Sequence, residues 1–210
     1  MCFMHGHFGY GFVALLALLP PLAATTARAE GPWVHANFDA QGAFRSYDGS
    51  VDVDASADFV WAILVDYSGY PSWNERITQT RAQTEKDGSV LLTHRLGGGL
   101  FADTVTFRVL VDTAARTLDA KYEKGALAGT RFRYAVTPRA EGGCVVRVSG
   151  VTLNFSSALA FDDEFHSLLI GVNLAEAHED LRHLKLASEA RAARPPLIPH
   201  PVAGPPSGTP

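Results

Sequence analysis

Cysteine is scarce in this chain: 210 residues contain two, Cys2 and Cys144. Cys2 precedes an apolar run that reads as a leader, so the folded domain keeps Cys144 alone. That excludes an intrachain disulfide and a cysteine-based zinc site. Cys144 sits among strand residues and reads as a small core hydrophobe. Positive charge is also short. Lys and Arg number 18 against 22 Asp and Glu, a net charge of −4, which offers no basic field for nucleic acid or an anionic membrane. The apolar run within Gly11 to Leu22 is too short to span a bilayer. Short catalytic signatures are missing too. No G-x-S-x-G occurs, and Gly97-Gly98-Gly99 precedes a strand rather than a helix, with no Lys-Ser/Thr behind it. His178-Glu179-Asp180-Leu181-Arg182-His183 resembles a zincin motif only superficially. Its histidines are offset by about 140° around a helix instead of sharing one face, so the segment reads as a solvated polar face.

The two ends of the chain do not look like domain. The run F-V-A-L-L-A-L-L is followed by Ala27-Arg28-Ala29 before Glu30, an A-x-A pattern suited to signal peptidase. Residues 1–29 are therefore expected to be a signal peptide. Export follows, to the periplasm or out of the cell, with no integral membrane segment after cleavage; the alternative reading of the same run is an uncleaved N-terminal anchor. Residues 193–210 are proline-rich, cannot continue a helix or central strand, and read as a disordered tail. Residues 30–192 remain as a single domain.

Within that domain the pattern is continuous. Trp33 to Asp39 and Ala43 to Ser50 flank Gln41-Gly42 as a leading hairpin that runs on to Asp54. Val51 and Val53 alternate with Asp52 and Asp54, which is a strand with one wet face. Ser56 offers a cap and Asp58 an acid to a short helix with Val60, Ile63 and Leu64 in phase. Ser68-Gly69-Tyr70-Pro71 ends it. About six further strands follow, joined by short turns such as Lys86-Asp87-Gly88. Asp162 to Glu164 then open a long helix with an apolar stripe through Phe165, Leu168, Val172, Leu174, Ala177, Leu181 and Leu184. Gly171 interrupts that stripe at a cost of about 1 kcal/mol relative to alanine, and room for a ligand or close packing would account for it.

The stretch Val60-Trp61…Leu64…Asp66, followed by Tyr70-Pro71…Trp73, resembles the START-like (SRPBCC) helix-grip superfamily, in particular its polyketide cyclase/dehydrase and lipid-transport-like branch. With the strand order above, the resemblance extends over roughly residues 45–190. It implies an α+β fold: a curved antiparallel sheet of about seven strands around a long C-terminal helix, with two short helices after the first strand. It also implies a cavity between sheet and helix. The cavity candidates are Trp73, His94, Phe101, Phe107, Tyr122, Tyr134, Phe165, Leu168, Gly171 and Val172, with Gly97 to Leu100 as a gating loop. The resemblance implies a carrier for a hydrophobic small molecule such as a lipid, an isoprenoid or an aromatic compound. It also allows a cyclase/dehydrase in which His94, Tyr122 and Tyr134 act as acid-base groups, or a partner-binding module with a vestigial pocket. No cofactor, metal or nucleic-acid partner is expected.

Overall fold

The computed structural model describes residues 31–97, 103–124, 128–153 and 163–194; of residues 163–166 it describes the backbone. Strands β1 (Trp33–Phe38) and β2 (Phe44–Val53) form the leading hairpin, followed by helix α1 (Ala57–Val65) and a 3-10 turn (Tyr67–Ser72). Then come β3 (Ile77–Thr84), β4 (Val90–Leu96), β5 (Thr104–Asp112), β6 (Thr117–Lys124), β7 (Arg131–Pro138) and β8 (Cys144–Thr152). Helix α2 (Asp163–Ala192) is last. All strand pairs are antiparallel, in the order β1-β2-β8-β7-β6-β5-β4-β3. This is the helix-grip arrangement. Among the described residues the sheet has eight strands where about seven were expected.

Local chemistry accounts for the entry to the grip. Ser56 accepts a hydrogen bond from the Phe59 amide at 3.3 Å and caps α1. Asp66 accepts from the Gly69 amide and the Ser68 hydroxyl, which tightens the 3-10 turn behind the helix. The apolar face of α1 (Val60, Trp61, Ile63, Leu64) is buried. On the sheet, Val51 and Val53 of β2 face Val146 and Cys144 of β8, and all four are at most 2% exposed. The buried Cys144 thiol is pushed up to about 11 by desolvation, as an inert core cysteine should be.

Helix α2 closes the concave side. Ala177, Leu181 and Leu184 are its buried apolar residues. Leu181 comes close because β2 has Gly49 beneath it: a Cβ there would lie 3.1 Å from Leu181 Cδ1, Trp33 O and Val148 Cγ1. The C-terminal half of α2 is tied to the end of β2 and to the 3-10 turn. Lys185 Nζ donates to the Asp52 carbonyl at 2.7 Å, Glu189 accepts from the Asp54 amide, and Arg191 donates to Ser72 Oγ. Further toward its N-terminus the expected apolar stripe does not hold. Leu168 and Val172 are 61% and 45% exposed: Leu168 lies out of phase with the inward-facing Leu181 and Leu184, and Val172 borders open space between helix and sheet.

Candidate functional site

Sheet and helix do not meet everywhere. Between them lies a cavity of about 510 Å³. Its walls come from the 3-10 turn and the start of β3, the inner faces of β4 to β7, and α2. Aliphatic surface is supplied by Leu64, Ile77, Leu92, Val105, Val109, Leu118 and Leu184. Alternation explains the strand contributions: Leu92 and His94 on β4, Val105, Phe107 and Val109 on β5, and Leu118, Ala120 and Tyr122 on β6 all point to one face.

A train of rings crosses this wall. Trp73 packs edge-on to Tyr70 with centroids 4.9 Å apart, and Tyr70 stacks on His94 at 5.2 Å. His94 meets the edge of Phe107 at 5.3 Å, and Phe107 touches Tyr122 at 4.4 Å. Phe132 then links Tyr122 to Tyr134. Such pairs contribute about 0.5–1.5 kcal/mol each beyond their buried area and hold the rings in fixed orientations.

His94 is 5% exposed. Its Nδ1 lies 3.0 Å from Thr80 Oγ1, which sits directly opposite on β3. Burial among rings pushes its pKa down to about 4, so the imidazole is neutral near pH 7. Desolvation raises the phenols of Tyr122 and Tyr134, with the nearby Asp180 carboxylate adding to it, and both remain hydroxyl donors.

The α2 side of the cavity is polar. Asn173, Glu176 and Asp180 line it, together with Asn74 and Arg76 from the approach to β3. Arg76 pairs with Glu176 at 2.7 Å and lies 3.6 Å from Asp180. Asn74, only 4% exposed, donates to Asp180 Oδ1 at 2.9 Å and accepts from the Arg76 amide. Asp180 is enclosed by protein, yet 36% of its side-chain surface stays accessible because it borders the cavity. Desolvation raises its pKa against the opposing pull of Arg76 and Asn74. A recess of about 60 Å³ shares Tyr122, Tyr134, Asn173, Glu176 and Asp180 with the main cavity and adds Tyr47.

The structure thus places Trp73, His94, Phe107, Tyr122, Tyr134 and Val172 on the cavity wall. Leu168 is outside it, turned to the exposed side of α2. Gly171 is outside as well: a Cβ there would meet nothing within 4 Å among the described residues, so close packing does not require the glycine. Phe101, the loop residues 98–100 and the Phe165 side chain lie outside the described residues. The segment 178–183 is only partly a solvated face. His178, Glu179 and Arg182 are half-exposed, whereas Asp180 borders the cavity and the His183 side chain is 11% exposed. Among the described residues no group of three or more His, Cys, Asp or Glu side chains could hold a metal ion.

Sequence reasoning missed Tyr70, Asn74, Arg76, Phe132, Asn173, Glu176 and Asp180. A signal for the last three existed. They recur at i, i+3 and i+7, which is one face of a helix, and that face adjoins the buried line of Ala177, Leu181 and Leu184.

Residues 45–189 match the family described as polyketide cyclase / dehydrase and lipid transport. The chain belongs to this family. No curated protein matches it. Among solved structures, the chain is similar to a START superfamily protein from Mycobacterium smegmatis (21% identity, TM-score 0.53, 69% of this chain and 94% of that one). It is also similar to the Zhui aromatase/cyclase from Streptomyces sp. R1128 (18% identity, TM-score 0.59, 76% and 96%). A third is StfQ, a di-domain aromatase/cyclase of the steffimycin pathway (17% identity, TM-score 0.57, 70% and 51%). At these identities the likeness is one of fold. For this member of the polyketide cyclase / dehydrase and lipid transport family, hydrophobic small-molecule binding fits both the family and the cavity. Among the described residues no helix is long and apolar enough to cross a membrane.

Proposed function

We propose that the protein is a carrier that holds a lipid, isoprenoid or aromatic compound between the sheet and α2. The observation that carries this reading is the cavity of about 510 Å³, mostly aliphatic and aromatic with a few polar groups on one side. Apolar pockets with sparse, placed polar groups are the general form of small-molecule sites. A vestigial pocket, by contrast, would be filled by its own side chains. Native mass spectrometry before and after organic extraction tests the carrier reading. A hydrophobic adduct that leaves on extraction and is regained from a hydrophobe mixture is expected. Protein that carries none and regains none would overturn it.

A second reading, a cyclase/dehydrase-like enzyme, is favoured by one observation: His94, Tyr122 and Tyr134 line the same cavity and Asp180 borders it. In that case a His94→Phe, Tyr122→Phe variant should retain ligand but lose turnover of a poly-ketone thioester. A wild-type protein without turnover removes this reading and leaves the carrier. We also propose export, with residues 1–29 removed. Sequencing of the secreted or periplasmic form should begin at Glu30, and an N-terminus at Met1 would argue against it.

A further inference from the structure

The charges that border the cavity are unequal. Asp103, Glu176 and Asp180 line it with one guanidinium, Arg76, while His94 is neutral near pH 7. Asp103 is exposed at the start of β5. The other three belong to one linked group on the α2 side: Arg76 with Glu176 at 2.7 Å, Arg76 with Asp180 at 3.6 Å, and Asn74 with Asp180 at 2.9 Å. Arg76 is already engaged by both α2 carboxylates, so among the described residues no free cation lines this part of the cavity. Asp180 can accept a further hydrogen bond. Tyr122 and Tyr134 border the same space and also line the recess beside it; their raised phenols are donors. A ligand hydroxyl fits such a pair, since it donates to a carboxylate and accepts from a phenol. A ligand carboxylate or phosphate would meet a net negative charge, two carboxylates against the one guanidinium they share, and like charges repel.

We propose that the cavity selects its ligand by charge: it takes an uncharged hydrophobe whose hydroxyl reaches Glu176, Asp180 and the tyrosines, and it excludes fatty-acid-like carboxylates and phosphates. This rests on the ligand-binding reading above and names the ligand class for the same site. Three probes with one ring system separate the contributions: naphthalenemethanol, naphthoate and naphthylmethylammonium, titrated at neutral pH with tryptophan fluorescence or calorimetry. The alcohol is expected to bind at least about tenfold tighter than the carboxylate, with the ammonium between them or level with the alcohol. A purely apolar pocket would reject both ions alike. Equal weakness of ammonium and carboxylate would therefore overturn the proposal, as would a carboxylate bound as tightly as the alcohol. If none of the probes binds, the carrier reading fails as well, a result distinct from binding without order. The variant Asp180→Asn with Glu176→Gln leaves Arg76 without either carboxylate, and the order of the two ions should invert. Should that variant not fold, Glu176→Gln alone, which keeps the Asn74–Asp180 bond, should narrow the gap. An unchanged gap counts against the proposal.

Discussion

Single residues set the chemistry of this cavity, and His94 gives the sharpest handle on it. Its imidazole titrates near 4 in the fold against 6.5 in the unfolded chain, because burial disfavours the cation. Between those values the unfolded state binds more protons than the folded state. Stability from this group is therefore complete above about pH 6.5 and is lost as pH falls through that window. The loss on going from pH 7 to pH 5 should be about 2 kcal/mol, measured by urea unfolding at the two pH values. His94→Phe, which keeps the ring train, should lose this increment, and an equal pH dependence in the variant would refute the assignment. Asp180 acts in the opposite sense. Its raised carboxyl holds a proton to higher pH in the fold, so its share of stability declines as pH rises from 3.8 through the raised value. Of these two residues only His94 was legible in the sequence, through its phase with Leu92. Asp180 stands in the mostly polar run His178 to His183 and resembles any wet helix face until the neighbouring elements are in place.

At the scale of elements, the grip depends on how closely α2 sits on β2. Leu181 has no exposed surface and rests over Gly49. Leu181→Ala should cost about 2–5 kcal/mol in chemical denaturation. Gly49→Ala should cost about 1–3 kcal/mol by overpacking against Leu181, Val148 and the Trp33 carbonyl. A Gly49→Ala variant as stable as wild type would mean that the helix shifts without penalty. The element types were readable because periods of two and of about 3.6 are local properties. The capped α1, the alternating β5 and the length of α2 are examples. The rotation of α2 about its own axis was not readable. The apolar residues read as one stripe from Leu168 to Leu184, yet only Ala177, Leu181 and Leu184 are buried, and contact with β2 decides which part of it turns inward.

For the whole molecule, the unfilled space is the property to test. Ala120 on β6 is 5% exposed and borders the cavity. Ala120→Phe should occupy that space with little strain, leaving stability within about 1 kcal/mol while naphthalenemethanol affinity falls by about tenfold or more. Thermal unfolding alongside the probe titration checks both halves, and undiminished affinity would place the ligand elsewhere. The sequence by itself determined the element order, the antiparallel connectivity and the family, because hydrophobic period, capping residues and turn glycines act over a few positions each. It also marked the β-strand residues that face inward, since alternation leaves two choices and the charged face excludes one. Only the tertiary structure decided that the interior stays open and that Asn74 and Arg76 meet Glu176 and Asp180 from about a hundred residues away. Those pairings carry no periodic signal. They arise where two segments that are each unremarkable in sequence are brought together by the packing of the helix on the sheet.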